Sequence, residues 1–268
     1  MTVTRIQAIR YARHERKAAE NFITGDDHAT DMPLDYYVWA IHRTQGPPIL
    51  VDTGFGAEAA RKRGRTLIRP VEQGLREAGV EPAAIEDVII THMHYDHAGS
   101  LSLFPRARFH LQDAEMAFCT GRAMAHAAVR APFDVEPVTD MVRHLFADRV
   151  AFHDGTDTIA PGIRVHHAGG HTAGLQIVEV ETERGAVVLA SDAAHLYANF
   201  VRRIPFPILV DVPAYLDTLE RLDRIAPSRR HIVPGHDPLV LSLFPPEQGC
   251  ADVARVDLAP LNWPEWLG

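Results

Sequence analysis

The sequence predicts a mixed α/β protein, and three observations carry that expectation. Short β-branched runs, such as Val88-Ile89-Ile90, end in loops rich in glycine and polar residues. Between them lie stretches with apolar residues at helical spacing, the clearest over residues 213–225, where Leu216, Leu219, Leu222 and Ile225 share one stripe. The chain also has 268 residues and is 46% hydrophobic, enough to bury a large core. No composition break divides it, so one domain over residues 1–268 is expected.

Taken in order, residues 3–12 alternate as a first strand. Residues 13–35 are polar and irregular, with His14, Asp26, Asp27 and His28, and are long for a plain connection. Residues 36–43 and 49–51 read as strands joined by the Gln45-Gly46-Pro47-Pro48 turn. The second ends in Asp52-Thr53-Gly54, where the carboxylate is either an Asx-turn residue or the support of a metal-binding histidine. Residues 70–78 form a helix with proline at its start and Gly79 at its end. A short helical step over 82–86 leads into the strand at 87–90. Residues 107–111 read as a strand, and 112–131 as one or two alanine-rich helices. Residues 132–137 break them, and 138–146 form another helix. His110, His126 and His144 lie here with no ligand-spaced neighbour and read as ordinary histidines. Strands follow at 150–153 and 163–167, a hairpin at 175–181 and 186–190, the helix at 213–225, and a last strand at 231–233.

Function concentrates at strand ends. Thr91-His92-Met93-His94-Tyr95-Asp96-His97-Ala98-Gly99 places three histidines and a carboxylate within six positions after an apolar strand. In extended backbone His92 and His94 face one way, while Asp96 and His97 can face a second point nearby. Imidazole with carboxylate suits zinc and its first-row neighbours. Three later strand ends deliver the same chemistry: Gly169-Gly170-His171, Ser191-Asp192 and Pro234-Gly235-His236.

In this order and spacing, these motifs resemble those of the metallo-β-lactamase fold superfamily, over about residues 36–238. The resemblance implies an αββα sandwich of two mixed sheets flanked by helices, with the site on one edge. It implies that His92, His94 and His171 hold one metal, that Asp96, His97 and His236 hold another, and that Asp192 bridges both. The ions would be two Zn²⁺ or other first-row divalent metals, and Asp52 a supporting carboxylate. Within the superfamily, residues 191–200, Pro205-Phe206-Pro207 and residues 234–240 look most like the N-acyl-homoserine lactonases. That likeness implies quorum quenching by hydrolysis of a lactone, with a hydroxide shared by the two ions as nucleophile. It assigns Asp192 to proton transfer and the metal beside Asp96 to the departing alkoxide. The group's substrate-contacting tyrosine, three positions after the bridging aspartate, is replaced by His195, with Tyr197 two further on. Either is expected to polarise the substrate carbonyl.

Arg202 and Arg203 read either as a solvated basic pair or as a clamp for a substrate carboxylate or carbonyl. Phe22, Phe55, Phe104 and Phe206 are candidates for an apolar acyl pocket. The formal charge of −8 argues against nucleic acid as the partner. No run approaches the ~20 apolar residues of a membrane span. Two distant cysteines, Cys119 and Cys250, fit a reducing, cytoplasmic compartment. A homodimer is the base-rate expectation. The competing classes are a thioesterase or other ester hydrolase of the glyoxalase II type, a nucleic-acid phosphodiesterase, a di-iron redox protein and a non-catalytic binder. A thioesterase acting on an anionic carrier would want a basic cluster that the sequence does not show. A di-iron protein usually has a carboxylate where His171 stands, and a non-catalytic binder would have lost ligands.

Overall fold

The computed structural model describes residues 3–26 and 28–268, so Asp27 lies outside the described residues. The strands are β1 (Val3–His14), β2 (Leu34–Arg43), β3 (Ile49–Val51), β4 (Thr66–Leu67), β5 (Asp87–Ile89), β6 (Arg108–Gln112), β7 (Val150–His153), β8 (Thr156–Ala160), β9 (Ile163–His167), β10 (Gln176–Thr182), β11 (Gly185–Ser191), β12 (Ile232–Pro234), β13 (Pro246–Glu247) and β14 (Cys250–Arg255). The α-helices are α1 (Ala57–Arg63), α2 (Val71–Glu77), α3 (Tyr95–Ala98), α4 (Asp113–Cys119), α5 (Ala127–Arg130), α6 (Val135–Phe146), α7 (Tyr197–Arg202), α8 (Val212–Ile225) and α9 (Leu239–Leu243).

Two mixed sheets result. The larger runs β13-β14-β1-β2-β3-β5-β6-β7, with β4 paired to β1. Its β3, β5, β6 and β7 are parallel and its other pairs antiparallel. The smaller runs β12-β11-β10-β9-β8, parallel only between β11 and β12. Alternation of side chains along each strand gives every sheet two apolar faces. Trp39, Ile41 and Val51 meet Val165, Val178 and Leu189 between the sheets. The outer face of the larger sheet, with Val38 and Leu50, packs against Leu75 of α2 and Met141 of α6. On the other side, Ile177 and Val188 pack against Leu219 and Leu222 of α8. These three cores make the αββα layering.

Several elements depart from the sequence expectation. Helix α1, with the sequence Ala-Glu-Ala-Ala-Arg-Lys-Arg, buries only Ala60 and so shows no apolar stripe. Strand β8 is a polar edge, and β14 is short and depends on pairing with the distant β1. Helix α6 starts at Val135 instead of 138, because Pro137 falls in its first turn, where a missing N–H breaks no helical bond. Arg202 ends α7, a helix without a sequence signal of its own, and Arg203 follows it in left-handed conformation.

The irregular stretch after β1 folds back over one end of the sandwich. Ile23 N–H donates to the Pro205 carbonyl at 2.9 Å, and Asn199 Nδ2 donates to the Asn21 carbonyl at 2.9 Å. Phe22, Leu34, Leu196, Ala198 and Phe206 form a small separate core there.

Gly170 couples α8 to the loop that follows β9. Its φ is +123°, and a Cβ there would lie 2.4 Å from the Tyr215 amide nitrogen. Its carbonyl accepts from the amides of Val210 and Asp211, at 2.8 and 3.0 Å. Gly170→Ala is therefore expected to destabilise the protein by at least about 2 kcal/mol, read as a lower urea midpoint at unchanged slope.

Candidate metal centre

Both sheets deliver ligand-type side chains to one edge. From the larger sheet come Asp52 after β3 and the His92–His97 loop after β5. From the smaller come His171 after β9, Asp192 after β11 and His236 after β12. Two non-glycine residues at these strand ends occupy left-handed backbone, Asp52 at φ 61° and Ser191 at φ 46°. Such strain is retained where surrounding structure fixes it, and here it turns the chain out of the strand beside the site. Gly235 permits a close crossing, since a Cβ there would sit 2.8 Å from the Ser191 backbone.

Among the described residues the ligand-type side chains fall into three overlapping sets, one of them Asp192, His195 and His236. His92, His94, His171 and Asp192 are all buried, with ligand atoms within 4.8 Å of one another, and Asp96, His97 and His236 form a second set. His171 Nε2 lies 3.2 Å from His92 Nε2, 3.0 Å from His94 Nδ1 and 3.2 Å from Asp192 Oδ2. Asp192 turns its other oxygen, Oδ1, toward His97 Nε2 at 3.2 Å and His236 Nε2 at 2.9 Å. Asp96 Oδ2 lies 3.8 Å from His97 Nε2 and 3.9 Å from His236 Nε2. Two donors each about 2.1 Å from a tetrahedral ion sit about 3.4 Å apart, which is the scale seen here.

Hydrogen bonds set the tautomers. His171 Nδ1 donates to the Ile208 carbonyl at 2.7 Å, and His236 Nδ1 to the Asp35 carbonyl at 3.0 Å. His97 Nδ1 donates to Asp52 Oδ2 at 2.7 Å. Each bond leaves the Nε2 lone pair facing inward, as a metal ligand requires. Asp52 also accepts from Thr91 N at 2.7 Å and Thr91 Oγ1 at 2.8 Å, so it supports the ligand loop at its root. His97 Nε2 and Asp192 Oδ1 are buried with no hydrogen-bond partner. Buried orphans of this kind are costly, and a cation between them would satisfy both, so the residues fit a metal pair.

Electrostatics agree. Burial holds His92 and His94 well below the ordinary imidazole value, keeping them neutral. Burial also pulls His97 down, but Asp192, Asp52 and Asp96 outweigh it, and the net direction is well above the ordinary value. Burial raises Asp192, yet the imidazoles of His195, His236, His97 and His171 draw it well below the usual carboxylate range.

One supporting residue escaped the sequence reading. Glu115 of α4 is fully buried and accepts from Met93 N at 2.8 Å, Thr172 Oγ1 at 2.6 Å and Gly174 N at 3.0 Å. It ties the His92–His94 segment to the His171 loop. In sequence it reads as an acidic residue in a helix's first turn, an ordinary complement to the helix dipole.

His195 reaches the site, with Nε2 3.0 Å from Asp192 Oδ2 and its ring stacked on Phe206 at 3.9 Å between centroids. Tyr197 does not. It opens α7 two residues after His195, and its side chain lies in the core between the sheets, edge-on against Trp263. The arginine clamp is also corrected. Arg202 pairs with Asp26 at 2.5 Å and lies over Phe22, and Arg203 pairs with Asp223. Of the four phenylalanines, only Phe206 faces the site chamber; Phe55 and Phe104 belong to the helix-covered core, and Phe22 to the small core under the folded-back stretch.

The ligands open on an inner chamber of about 40 Å³, walled by Leu34, Tyr36, Phe206 and Ile208 among others. An outer cavity of about 390 Å³ adjoins it, sharing Arg65, His94, Tyr95, Pro132, His171 and Ile208.

Asp52→Asn is expected to weaken metal binding about 10- to 100-fold, measured by chelator competition, because it loosens Thr91 and the His97 tautomer together. Affinity should also rise with pH. The raised His97 value means that an ion must displace a proton, so each displaced proton gives about tenfold per pH unit below that value.

A family model described as the metallo-beta-lactamase superfamily matches residues 32–236. An N-acyl homoserine lactonase of Bacillus sp is 29% identical over 234 residues, covering 81% of this chain and 85% of that protein. A solved N-acyl homoserine lactone hydrolase, with the product N-hexanoyl-L-homoserine bound at its catalytic metal centre, superposes with a TM-score of 0.71. That structure is 25% identical and covers 89% of this chain and 95% of its own. AidC, a dizinc quorum-quenching lactonase, is alike in fold alone, with a TM-score of 0.72 at 16% identity over 98% of each chain. With the matched family model spanning the strands and loops that carry all seven ligand-type side chains, the chain belongs to the metallo-β-lactamase superfamily.

Proposed function

We propose that the protein is a dinuclear metal-dependent hydrolase that opens a lactone ring. The observation that carries this reading is Asp192, whose two carboxylate oxygens face two separate imidazole sets. Two divalent ions held by those sets, zinc by the donor chemistry, would supply a water acidic enough to attack near neutral pH and a Lewis acid for the carbonyl.

The chain's own residues do the remaining work. Asp192 lies between the two sets, where it can accept the proton of the attacking water and pass it to the ring oxygen. Asp96 and His236 mark the side on which negative charge on that oxygen is balanced. His195 is held neutral, since burial pushes its imidazole down to about 3. Protonated at Nε2, it donates toward Asp192 or toward a substrate oxygen that takes that place. Leu34, Tyr36, Phe206 and Ile208 restrict water around the reacting atoms. The outer cavity, lined by Val129, Ala131, Leu209 and Val210, offers apolar surface for an acyl substituent. The likeness to N-acyl homoserine lactonases supports a lactone as the bond cleaved.

The test is a pH-indicator hydrolysis assay on zinc-loaded protein. The panel holds short and long N-acyl homoserine lactones, simple γ- and δ-lactones, aryl esters and S-lactoylglutathione. Lactone turnover is expected, with a loss of at least about 10²-fold in His94→Ala. Turnover of the thioester alone would replace this reading with a glyoxalase II type thioesterase. Separately, His195→Phe should lower kcat/KM about 10²-fold. Because burial holds the His195 imidazole neutral over this range, the variant's pH–rate profile should keep the same inflections between pH 5 and 9. Loss of an inflection there would show that His195 works as an acid or base.

A further inference from the structure

One wall of the inner chamber carries two guanidinium groups that no carboxylate of the described residues contacts as an ion pair. Arg16, Arg65 and His14 all line it, and Arg65 also lines the outer cavity, which places it at the neck between the two. Both guanidinia are partly buried. Their hydrogen bonds go to neutral groups. Arg65 donates from Nε to the Tyr95 hydroxyl at 3.0 Å, and from Nη1 to the Arg63 carbonyl and to His14 Nε2 at 3.1 Å. Arg16 donates from Nε to Asn21 Oδ1 at 2.7 Å and from Nη2 to the Glu20 carbonyl, and its guanidinium lies 5.1 Å from the centre of the Phe206 ring. Among the described residues neither arginine makes an ion pair, whereas Arg10, Arg13, Arg63, Arg69, Arg202 and Arg203 all do.

His14 adds an unsatisfied donor. Its Nε2 accepts from Arg65, so its Nδ1 carries the proton of the neutral ring, and that atom is buried without a partner. Burial, reinforced by Arg65 and Arg16, pushes this imidazole down to about 4, so it is a neutral donor at working pH. Three sources of N–H therefore meet at one wall; Asp96 of the same chamber acts on Arg65 and Glu20 acts on Arg16 only through space, and no carboxylate of the described residues contacts either guanidinium as an ion pair. The protein as a whole carries a net charge of −8, so this wall is no part of a general basic surface. Leaving two half-buried arginines without a contacting carboxylate costs stability, and the cost is recovered when an anion binds. A guanidinium fork matches a carboxylate in two parallel bonds.

We infer that Arg65, Arg16 and His14 form an anion-recognising wall, and that the natural substrate is a lactone bearing a carboxylate beyond the scissile ester. This rests on the lactonase reading and narrows it. Arg65, at the neck, meets the carboxylate as the ring enters the inner chamber. Arg16, held by the folded-back stretch, closes on it from the Phe206 side.

The experiment compares a γ-lactone-3-carboxylate with its methyl ester on zinc-loaded protein, in wild type and in Arg65→Gln, Arg65→Lys and Arg16→Gln. The acid should exceed the methyl ester in kcat/KM by about 10- to 100-fold, chiefly through KM. Arg65→Gln should cut that ratio at least tenfold, Arg65→Lys should restore part of it, and Arg16→Gln should act in the same direction. A role confined to structure would lower both substrates together and leave the ratio unchanged, which overturns the inference. Calorimetric binding of tetrahydrofuran-3-carboxylate and its carboxamide gives a readout free of turnover. Selective loss of carboxylate binding in Arg65→Gln supports the wall even if no lactone is opened, in which case the lactonase reading alone falls. Equal binding of carboxylate and carboxamide in every variant removes the wall and leaves the lactonase reading standing.

Discussion

Lone pairs that point at one another repel, and this constraint organises the molecule. His92, His94, His171 and Asp192 hold four ligand atoms within 4.8 Å of one another, three of them imidazole nitrogens. His171 Nε2 faces two other imidazole nitrogens at 3.0–3.2 Å while its own proton is committed to the Ile208 carbonyl. A cation between these atoms would relieve the repulsion. Asp192 repeats the arrangement on its other oxygen, so one carboxylate joins two such clusters.

Much of the fold serves to keep those lone pairs aimed. Asp52 at the end of β3 grips Thr91 and His97 together, so the ligand loop cannot shift without breaking buried charged hydrogen bonds. Glu115 fastens the same loop to the one that carries His171. The sheets are themselves joined next to the site, where Gln176 N–H donates to the Thr91 carbonyl at 2.9 Å and the Gln176 side chain donates to the Ile90 carbonyl at 2.9 Å. The two sides of the site are thus held by polar bonds in addition to the apolar core between the sheets, and such bonds are directional where apolar packing is not.

What the sequence discloses depends on whether a role has a local signature. The strand ends bearing His92–His97, His171, Asp192 and His236 are readable because ligand types cluster beside glycine or proline after apolar runs. The helices at 71–77 and 212–225 are readable because their buried faces repeat at helical spacing. Glu115, Arg16 and Arg65 are not, since their meaning comes from what the fold sets opposite them, and nothing within a few residues reports it. Tyr197 shows the converse error. His195 precedes α7 and Tyr197 opens it, so a residue only two positions on in sequence ends in a different layer of the sandwich. Arg202 lies ten positions after Asp192 in sequence, and α7 carries it off to Asp26.

The central claim is that Asp192 joins two ions. The most direct measurement is a crystal structure of zinc-loaded protein with anomalous data at the zinc edge, supported by elemental analysis of the same sample. The account predicts two anomalous peaks about 3.5–4 Å apart, with one Asp192 oxygen on each ion. His92, His94 and His171 should surround the first, and Asp96, His97 and His236 the second. A single peak, or two peaks with Asp192 bound to only one, would contradict it.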